Sequence, residues 1–287
     1  MPSTAYHLIE PETRDTSVVF ASPHSGRDYP DWFLARICID PRAVRSSEDA
    51  FVDRLFGAAP RMGAPFLHAG APRAFVDLNR GPDELDPALI EGVRQAGHNP
   101  RVASGLGVIP RVVANGQAIY RGKLSLPEAR QRIETYWHPY HEALRGQLNL
   151  AHAVFGEAIL VDCHSMPHEA MDSVSHVRGR RPDVVLGDRF GASAGTAIVD
   201  RIEEIFTAAG FVVARNSPFA GAYVVQQYGR PAQNRHAVQI EIDRKLYMDE
   251  RAIRPNADFL SFRSRLRDVI AGIVEIGRPA TQALAAE

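Results

Sequence analysis

The chain has 287 residues, of which 45% are hydrophobic and 23% are charged, values typical of a globular protein that can bury a large core without disulfide bonds. Its 33 Lys and Arg residues and 34 Asp and Glu residues leave a net charge of -1, which argues against nucleic acid as a main partner because phosphate binding needs a basic surface. Two cysteines, no apolar N-terminal segment typical of a signal peptide and no apolar run of about eighteen residues predict a soluble, cytoplasmic protein without a membrane span.

Apolar runs of strand length alternate along the chain with amphipathic segments of helix length. In chain order the sequence predicts a strand at 17–21, a helix at 47–58, a strand at 74–78, an irregular stretch at 81–122, a helix at 126–153, strands at 158–163 and 184–186, a helix at 196–209, strands at 211–214 and 236–242, and a helix at 256–276. This alternation predicts an α/β fold, a three-layer α/β/α sandwich around a mixed, mainly parallel sheet, in one domain that spans 1–287.

Prolines, glycines and asparagines mark the ends of the predicted helices. Pro127 suits the first turn of the helix at 126–153, whereas Pro139 should kink or divide that helix. Gly210 is the expected C-terminal cap of the helix at 196–209, and Asn256 is the expected N-cap of the last helix.

Two histidines follow predicted strands closely, and a carboxylate lies within a third. His24 comes after the strand at 17–21, His164 comes after the apolar run of 158–161, and Glu241 stands between two isoleucines. Ligands of open α/β sheets gather at the carboxyl ends of strands. Two imidazoles with a carboxylate and an open water position describe a catalytic zinc site, and a nearby carboxylate can shuttle the proton. The competing interpretation is two hydrogen-bonded loop histidines.

A third metal ligand is expected in the acidic cluster that precedes the helix at 47–58. Asp49 is the predicted ligand. The competing interpretation is local, because Ser46 followed three residues later by Asp49 resembles a capping box, in which the carboxylate would bind backbone N–H groups.

Arginines flank the predicted strand at 74–78. Arg73 stands at its start, and Asn79 and Arg80 stand at its end. Because a guanidinium group can bind a carboxylate through two hydrogen bonds, the Asn79–Arg80 pair would suit a substrate with a free carboxylate. A surface salt bridge would explain the same residues.

Taken in order, short segments along the chain resemble the N-formylglutamate amidohydrolase (N-formylglutamate deformylase) family. The resemblance extends from about residue 17 to 275, and the ordered set is more specific than any single segment. The matching segments include 22–26 (SPHSG), 48–55 (EDAFVDRL), 76–80 (VDLNR), 139–144 (PYHEAL), 161–165 (VDCHS), 186–193 (LGDRFGAS) and 236–242 (HAVQIEI).

The resemblance implies a fold similar to that of zinc carboxypeptidases and aspartoacylase, of the phosphorylase/hydrolase-like kind. It also implies a Zn²⁺ cofactor, with His24 and His164 as ligands. Asp49 best matches the acidic ligand, and Glu48 and Asp53 remain candidates for the same role.

The same resemblance implies a reaction, the hydrolysis of N-formyl-L-glutamate to L-glutamate and formate. Glu241 matches the general base, the pair Asn79 and Arg80 matches the group that holds the substrate carboxylate, and Arg73 matches an arginine that stabilises the oxyanion. The implied partner is a small-molecule N-acylamino acid, with no nucleic acid or membrane involved.

One segment departs from the family pattern. Family members that act on formylglutamate are more basic at 221–229, where this chain has Tyr223, Gln226 and Gln227. A related N-acylamino acid is therefore a competing substrate.

Two different functions compete with a metal-dependent amidohydrolase. One is a cysteine hydrolase that uses Cys163 as its nucleophile, and the other is a non-catalytic protein that binds acylamino acids. Strand alternation argues against the cysteine, because neighbouring strand residues face opposite sides and Cys163 precedes His164. A protein that only binds has no need of His24, His164 and Glu241 together.

Overall fold

A seven-stranded sheet forms the centre of the computed structural model, which describes residues 2–94, 99–113, 115–172, 177 and 179–279. In space the strands run in the order β1-β3-β2-β4-β7-β5-β6. Their bounds are β1 Tyr6–Ile9, β2 Val18–Ser22, β3 Phe66–Ala69, β4 Ala158–Met166, β5 Val184–Gly187, β6 Val213–Arg215 and β7 Arg235–Asp243. A separate hairpin pairs β8 (Met248–Asp249) with β9 (Arg254–Pro255).

The sheet is mixed but mainly parallel. Strands β3, β2, β4 and β7 run parallel to one another, and β5 and β6 are parallel to each other. Strand β1 is antiparallel to β3, and β5 is antiparallel to β7. Every residue of β2 and β4 is buried, as expected for parallel strands that are covered on both faces.

Helices cover both faces of the sheet. Their bounds are α1 Asp31–Leu34, α2 Pro41–Val44, α3 Val52–Phe56, α4 Pro100–Ala103, α5 Leu126–Arg132, α6 His138–Phe155, α7 Thr196–Ala208, α8 Tyr223–Tyr228 and α9 Phe259–Ile276. Phe20 of β2 packs into the core under α3, α7 and α9, whereas its neighbour Val19 packs into the core under α5 and α6. The three-layer α/β/α sandwich predicted from the sequence is therefore confirmed.

Most predicted strands are present as β2, β4, β5, β6 and β7, but the strand predicted at 74–78 is wrong. Phe75 and Val76 donate backbone hydrogen bonds to the Pro72 carbonyl oxygen, at 2.9 and 3.2 Å, and so form a turn. Both side chains are fully buried. The apolar residues of this run thus fill the core without belonging to the sheet, so Asn79 and Arg80 follow a turn and not a strand.

The helix predicted at 47–58 is shorter in the structure, where α3 begins only at Val52. Glu48 has an extended backbone and Phe51 a left-handed one, with φ of 68°, and neither conformation can continue a helix. The backbone N–H of Asp49 donates to the carbonyl oxygen of His24 at 3.0 Å. The capping-box interpretation of Asp49 is therefore wrong, and its side chain lies elsewhere.

The helix predicted at 126–153 is present as α5 and α6, joined by a π-helical turn over Ile133–Trp137. Pro139 is the second residue of α6, in the first turn, where a helix has no use for its missing N–H. The last helix begins at Phe259, three residues later than predicted, with Asp258 and not Asn256 at the N-cap position. Within the described ranges, no helix is long and apolar enough to cross a membrane.

Candidate active site

Three adjacent parallel strands bring the predicted histidines and the glutamate to one edge of the sheet. His24 follows β2, His164 lies near the end of β4, and Glu241 lies on β7 directly beside His164 in the strand register. Strand β3 lies on one side of β2 and β4 on the other. The chain therefore forms β3 on one side of β2 and later crosses to the other side to form β4. Open α/β sheets bind ligands at such a switch point.

His24, Asp49 and His164 form a cluster that could hold a metal ion. Asp49 Oδ2 lies 2.9 Å from His164 Nδ1 and 3.4 Å from His24 Nδ1, and one ligand atom from each residue lies within 4.8 Å of the others. All three side chains are buried. His24 Nδ1 has no hydrogen-bond partner among the described residues. Two nitrogens and one carboxylate oxygen that converge in this way fit a tetrahedral metal with one open position.

The two competing acidic residues point away from this cluster. Glu48 accepts two hydrogen bonds from Arg45, at 2.8 and 3.1 Å. Asp53 forms an ion pair of 3.0 Å with Arg27. Of the three candidates, the structure therefore brings only Asp49 to the histidines.

A buried aspartate lies beside Nε2 of each histidine, the ring nitrogen that faces away from the cluster. His24 Nε2 lies 2.7 Å from Asp77 Oδ1, and His164 Nε2 lies 3.0 Å from Asp162 Oδ2. Because an ionised carboxylate only accepts hydrogen bonds, the short contact with Asp77 fixes the proton of His24 on Nε2 and directs the lone pair of Nδ1 into the cluster. Asp162 forms no hydrogen bond with His164, and the amide nitrogen of Asn79 lies 3.2 Å from the same Nε2, so Asp162 acts on His164 through its negative charge alone. Carboxylate–histidine pairs of this kind orient metal-binding histidines.

Arg244, which sequence reasoning missed, holds the second oxygen of Asp49. Its Nη2 donates to Asp49 Oδ1 at 3.0 Å, its Nε to Ser165 Oγ at 3.2 Å and its Nη1 to the Ser46 carbonyl at 3.1 Å. Burial alone would raise the pKa of Asp49, but the close contacts with the imidazoles of His164 and His24 hold it well below its usual range. Asp49 is therefore ionised, with Oδ2 directed at the histidines.

Glu241 is a buried carboxylate with a strongly shifted pKa. Gln239 Nε2 donates to its Oε1 at 2.8 Å. Burial, together with the charge of Asp49, raises the pKa of Glu241 to about 7 against the opposing effect of His164. A carboxylate with this pKa can both accept and release a proton near neutral pH.

The predicted substrate-binding residues line the same cleft. Arg73 Nε donates to Asp77 Oδ2 at 3.0 Å. Arg80 donates to the carbonyl oxygens of Leu106 and Asn79 at 2.9 and 2.8 Å, so its hydrogen bonds to the described residues are to neutral groups. Asn79 accepts a hydrogen bond from the backbone N–H of Val224 at 2.8 Å, which ties it to the start of α8.

All seven residues predicted from the sequence meet in one cleft of about 530 Å³, a volume typical of small-molecule sites. Five arginines line it, namely Arg73, Arg80, Arg101, Arg189 and Arg244. Tyr223, Gln226 and Gln227, the positions that depart from the family pattern, are not among its lining residues. Gln226 and Gln227 are exposed on the surface.

Cys163 lies on the opposite face of β4 from His164, as strand alternation predicts. It is fully buried in the core under α3, α7 and α9. Burial and the nearby charge of Asp162 raise the pKa of its thiol well above the usual value. A thiol in this position has no access to the cleft, which argues against a cysteine nucleophile.

The chain is similar to known proteins along nearly its whole length. The family model described as N-formylglutamate amidohydrolase matches residues 16–248. The N-formylglutamate deformylase of Pseudomonas aeruginosa is 31% identical over 91% of this chain and 94% of its own, and that of Pseudomonas putida is 29% identical over 81% and 82%. The crystal structure of N-formylglutamate amidohydrolase from Ralstonia eutropha JMP134 superposes with a TM-score of 0.87 at 36% identity, covering 95% and 98% of the two chains. The chain therefore belongs to the N-formylglutamate amidohydrolase family, and it is an amidohydrolase.

Proposed function

We propose that this protein uses zinc to hydrolyse N-formyl-L-glutamate to L-glutamate and formate. The observation that carries the proposal is the convergence of His24 Nδ1, Asp49 Oδ2 and His164 Nδ1 beside Glu241. The cleft around them is rich in arginine, which suits a substrate with two carboxylates. The relatives named N-formylglutamate deformylase support the same substrate.

In this proposal His24, Asp49 and His164 hold the metal, with Asp77 and Asp162 behind the two histidines. When bound, zinc supplies Lewis-acid chemistry, which acidifies water to a pKa of about 7 and polarises a carbonyl group.

Glu241 is the proposed proton carrier. It accepts a proton from the attacking water while the water oxygen bonds to the formyl carbon. It then gives this proton to the amide nitrogen as the C–N bond breaks, which releases formate and the free amine of glutamate. A pKa of about 7 suits both halves of this transfer near neutral pH.

Three further residues are proposed to position the substrate. Arg80, held by neutral carbonyl oxygens, binds a carboxylate of the substrate, and the amide of Asn79 donates to the same group. Arg73, which carries a positive charge at the edge of the cluster, stabilises the oxygen that becomes negative in the tetrahedral transition state.

An assay of product formation tests the proposed function. Zinc-loaded protein should release formate and L-glutamate in equal amounts from N-formyl-L-glutamate, and should act much more slowly on N-acetyl-L-glutamate. Faster hydrolysis of the acetyl compound would favour a related N-acylamino acid as the substrate. Binding without product would favour a non-catalytic protein.

Removal of the carboxylates behind the histidines is expected to weaken metal binding. The Asp77→Ala and Asp162→Ala variants should each bind zinc about ten- to a hundredfold more weakly, because His24 loses the carboxylate that accepts its Nε2 hydrogen bond and His164 loses the negative charge beside its Nε2. Competition with a chromogenic chelator measures this affinity. Asp86→Ala is the matched control, since Asp86 is similarly buried but forms an ion pair with Arg111 away from the cluster. Equal weakening in all three variants would contradict the proposed role.

A further inference from the structure

The arginines of the cleft divide into two groups by their partners. Arg73 and Arg244 form ion pairs with Asp77 and Asp49. For the other three, the described part of the chain offers no carboxylate within 4.0 Å; they are Arg80, Arg101 and Arg189. Guanidinium groups without an internal counter-ion, gathered in one cleft, are suited to bind anionic groups of a ligand.

Two of the three unpaired arginines lie together. Arg80 is buried beneath the cleft, and burial lowers its pKa, opposed by the charge of Asp77 and assisted by the positive charges of Arg73 and Arg101. Arg80 Nε donates to the carbonyl oxygen of Leu106 at 2.9 Å, and the backbone N–H of Leu106 donates to the carbonyl oxygen of Arg101 at 2.8 Å. Arg80 and Arg101 therefore border the same part of the cleft, beside Leu106.

Arg189 belongs to a separate wall of the cleft, on the loop after β5. Its backbone N–H donates to the Ala220 carbonyl at 2.8 Å. Ala222, two residues further on, donates to Gln239, and Gln239 in turn donates to Glu241. Arg189 is thus connected to the wall that carries the proposed base.

The loop that carries Arg189 is held in an unfavourable backbone conformation. Arg189 and Phe190 have φ values of 53° and 57°, in the left-handed region that residues with a side chain rarely adopt. Asn216 fixes the loop, because its side chain bonds to the backbone N–H groups of Asp188 and Phe190 and to the Asp188 carboxylate. Strain of this kind persists where the surroundings enforce it, most often at functional sites.

The side chain of Arg189 crosses Gly221 on its way to the cleft. A Cβ atom at Gly221 would overlap Val225 Cγ2 and lie 3.3 Å from Arg189 Cγ, so the glycine lets both side chains pack against its backbone. The only hydrogen bond of the guanidinium among the described residues is a long one, 3.5 Å from Nη1 to the Gly221 carbonyl. Most of its five N–H groups are therefore free to bind a ligand.

We propose that Arg189 binds the side-chain carboxylate of the substrate, whereas Arg80 and Arg101 bind its α-carboxylate. This assignment rests on the proposed function and deepens it. The enzyme then selects N-formyl derivatives of acidic amino acids, and Arg189 is the residue that determines this selection.

Paired substrates test the assignment. N-formyl-L-glutamine has nearly the same shape as N-formyl-L-glutamate, but its side chain is neutral. In the Arg189→Gln variant the ratio of kcat/KM for glutamate over glutamine should fall by about ten- to a hundredfold, the usual worth of a hydrogen bond to a charged group. The fraction of folded protein cancels in this ratio. Arg101→Gln is the matched control, which should slow both substrates equally and keep the ratio.

An unchanged ratio in Arg189→Gln, or the same fall in Arg101→Gln, would overturn the assignment. Calorimetric binding of L-glutamate and L-glutamine to the same proteins separates this inference from the proposed function. Suppose that the wild type hydrolyses neither formyl compound yet prefers L-glutamate to L-glutamine, and that this preference is lost in Arg189→Gln. The proposed reaction would then be wrong, and the assignment of Arg189 to the side-chain carboxylate would be supported. If Arg189→Gln retains the preference for glutamate, the carboxylate site is wrong.

Discussion

The Glu241→Gln variant is expected to lower kcat for N-formyl-L-glutamate by about a hundredfold to ten-thousandfold, the usual contribution of general acid–base catalysis. Glutamine has nearly the same shape and can still contact Gln239, but it cannot accept a proton from water. Steady-state measurement of formate release gives kcat. The substrate should still bind, so KM should change far less than kcat.

Zinc content separates loss of the base from loss of the metal. Glu241 is not one of the three residues that converge on the candidate metal position, so the variant should contain as much zinc as the wild type by elemental analysis. Wild-type kcat in Glu241→Gln would show that another group carries the proton. A variant that has lost both zinc and activity would instead make Glu241 a ligand.

The Asp49→Asn variant is expected to lose zinc and activity together. A neutral amide is a poor metal ligand, and the absence of the metal removes several kcal/mol of transition-state stabilisation, or on the order of a thousandfold in rate. Asparagine also loses the ion pair with Arg244. Zinc content and kcat, measured on the same preparation, give both effects.

The two neighbouring acidic residues provide matched controls. Glu48→Gln and Asp53→Asn remove carboxylates that form ion pairs with Arg45 and Arg27, and both variants should keep wild-type zinc content. If either of these variants lost zinc while Asp49→Asn retained it, Asp49 would not be the third ligand. Thermal unfolding of each variant reports any change in stability separately.

The parts of the site that could be predicted are those that depend on local sequence. An apolar run followed by a histidine indicates a strand end, and the carboxyl ends of parallel strands lie at one edge of a sheet. His24 and His164 could therefore be placed near one another, and near Glu241, before the structure was known. The alternation of strand residues likewise predicted that Cys163 faces the opposite side.

The residues that sequence reasoning missed depend on contacts between distant parts of the chain. His24 and Asp77 are 53 residues apart, and Asp49 and Arg244 are 195 residues apart, so no local pattern predicts either pair. Asp162 did carry a local signal, because it lies two residues before His164 and therefore on the same face of β4. A carboxylate on the same face as a metal-binding histidine is a candidate for the group that lies behind the imidazole.

The two wrong elements have a common physical cause. A pattern of hydrophobic residues predicts which side chains are buried, but a buried side chain can also belong to a turn or an irregular segment. Phe75 and Val76 are buried through a turn, and the acidic cluster before α3 is bent by the left-handed Phe51. That bend directs Asp49 at the histidines, so the departure from regular structure is what completes the cluster.

Metal removal and reconstitution test the central claim most directly. Protein stripped with a chelator and freed of it by dialysis should hydrolyse no N-formyl-L-glutamate, and added zinc should restore activity in a titration that ends at about one zinc per chain. The result that would contradict a catalytic zinc at His24, Asp49 and His164 is full activity in protein shown by elemental analysis to be free of metal.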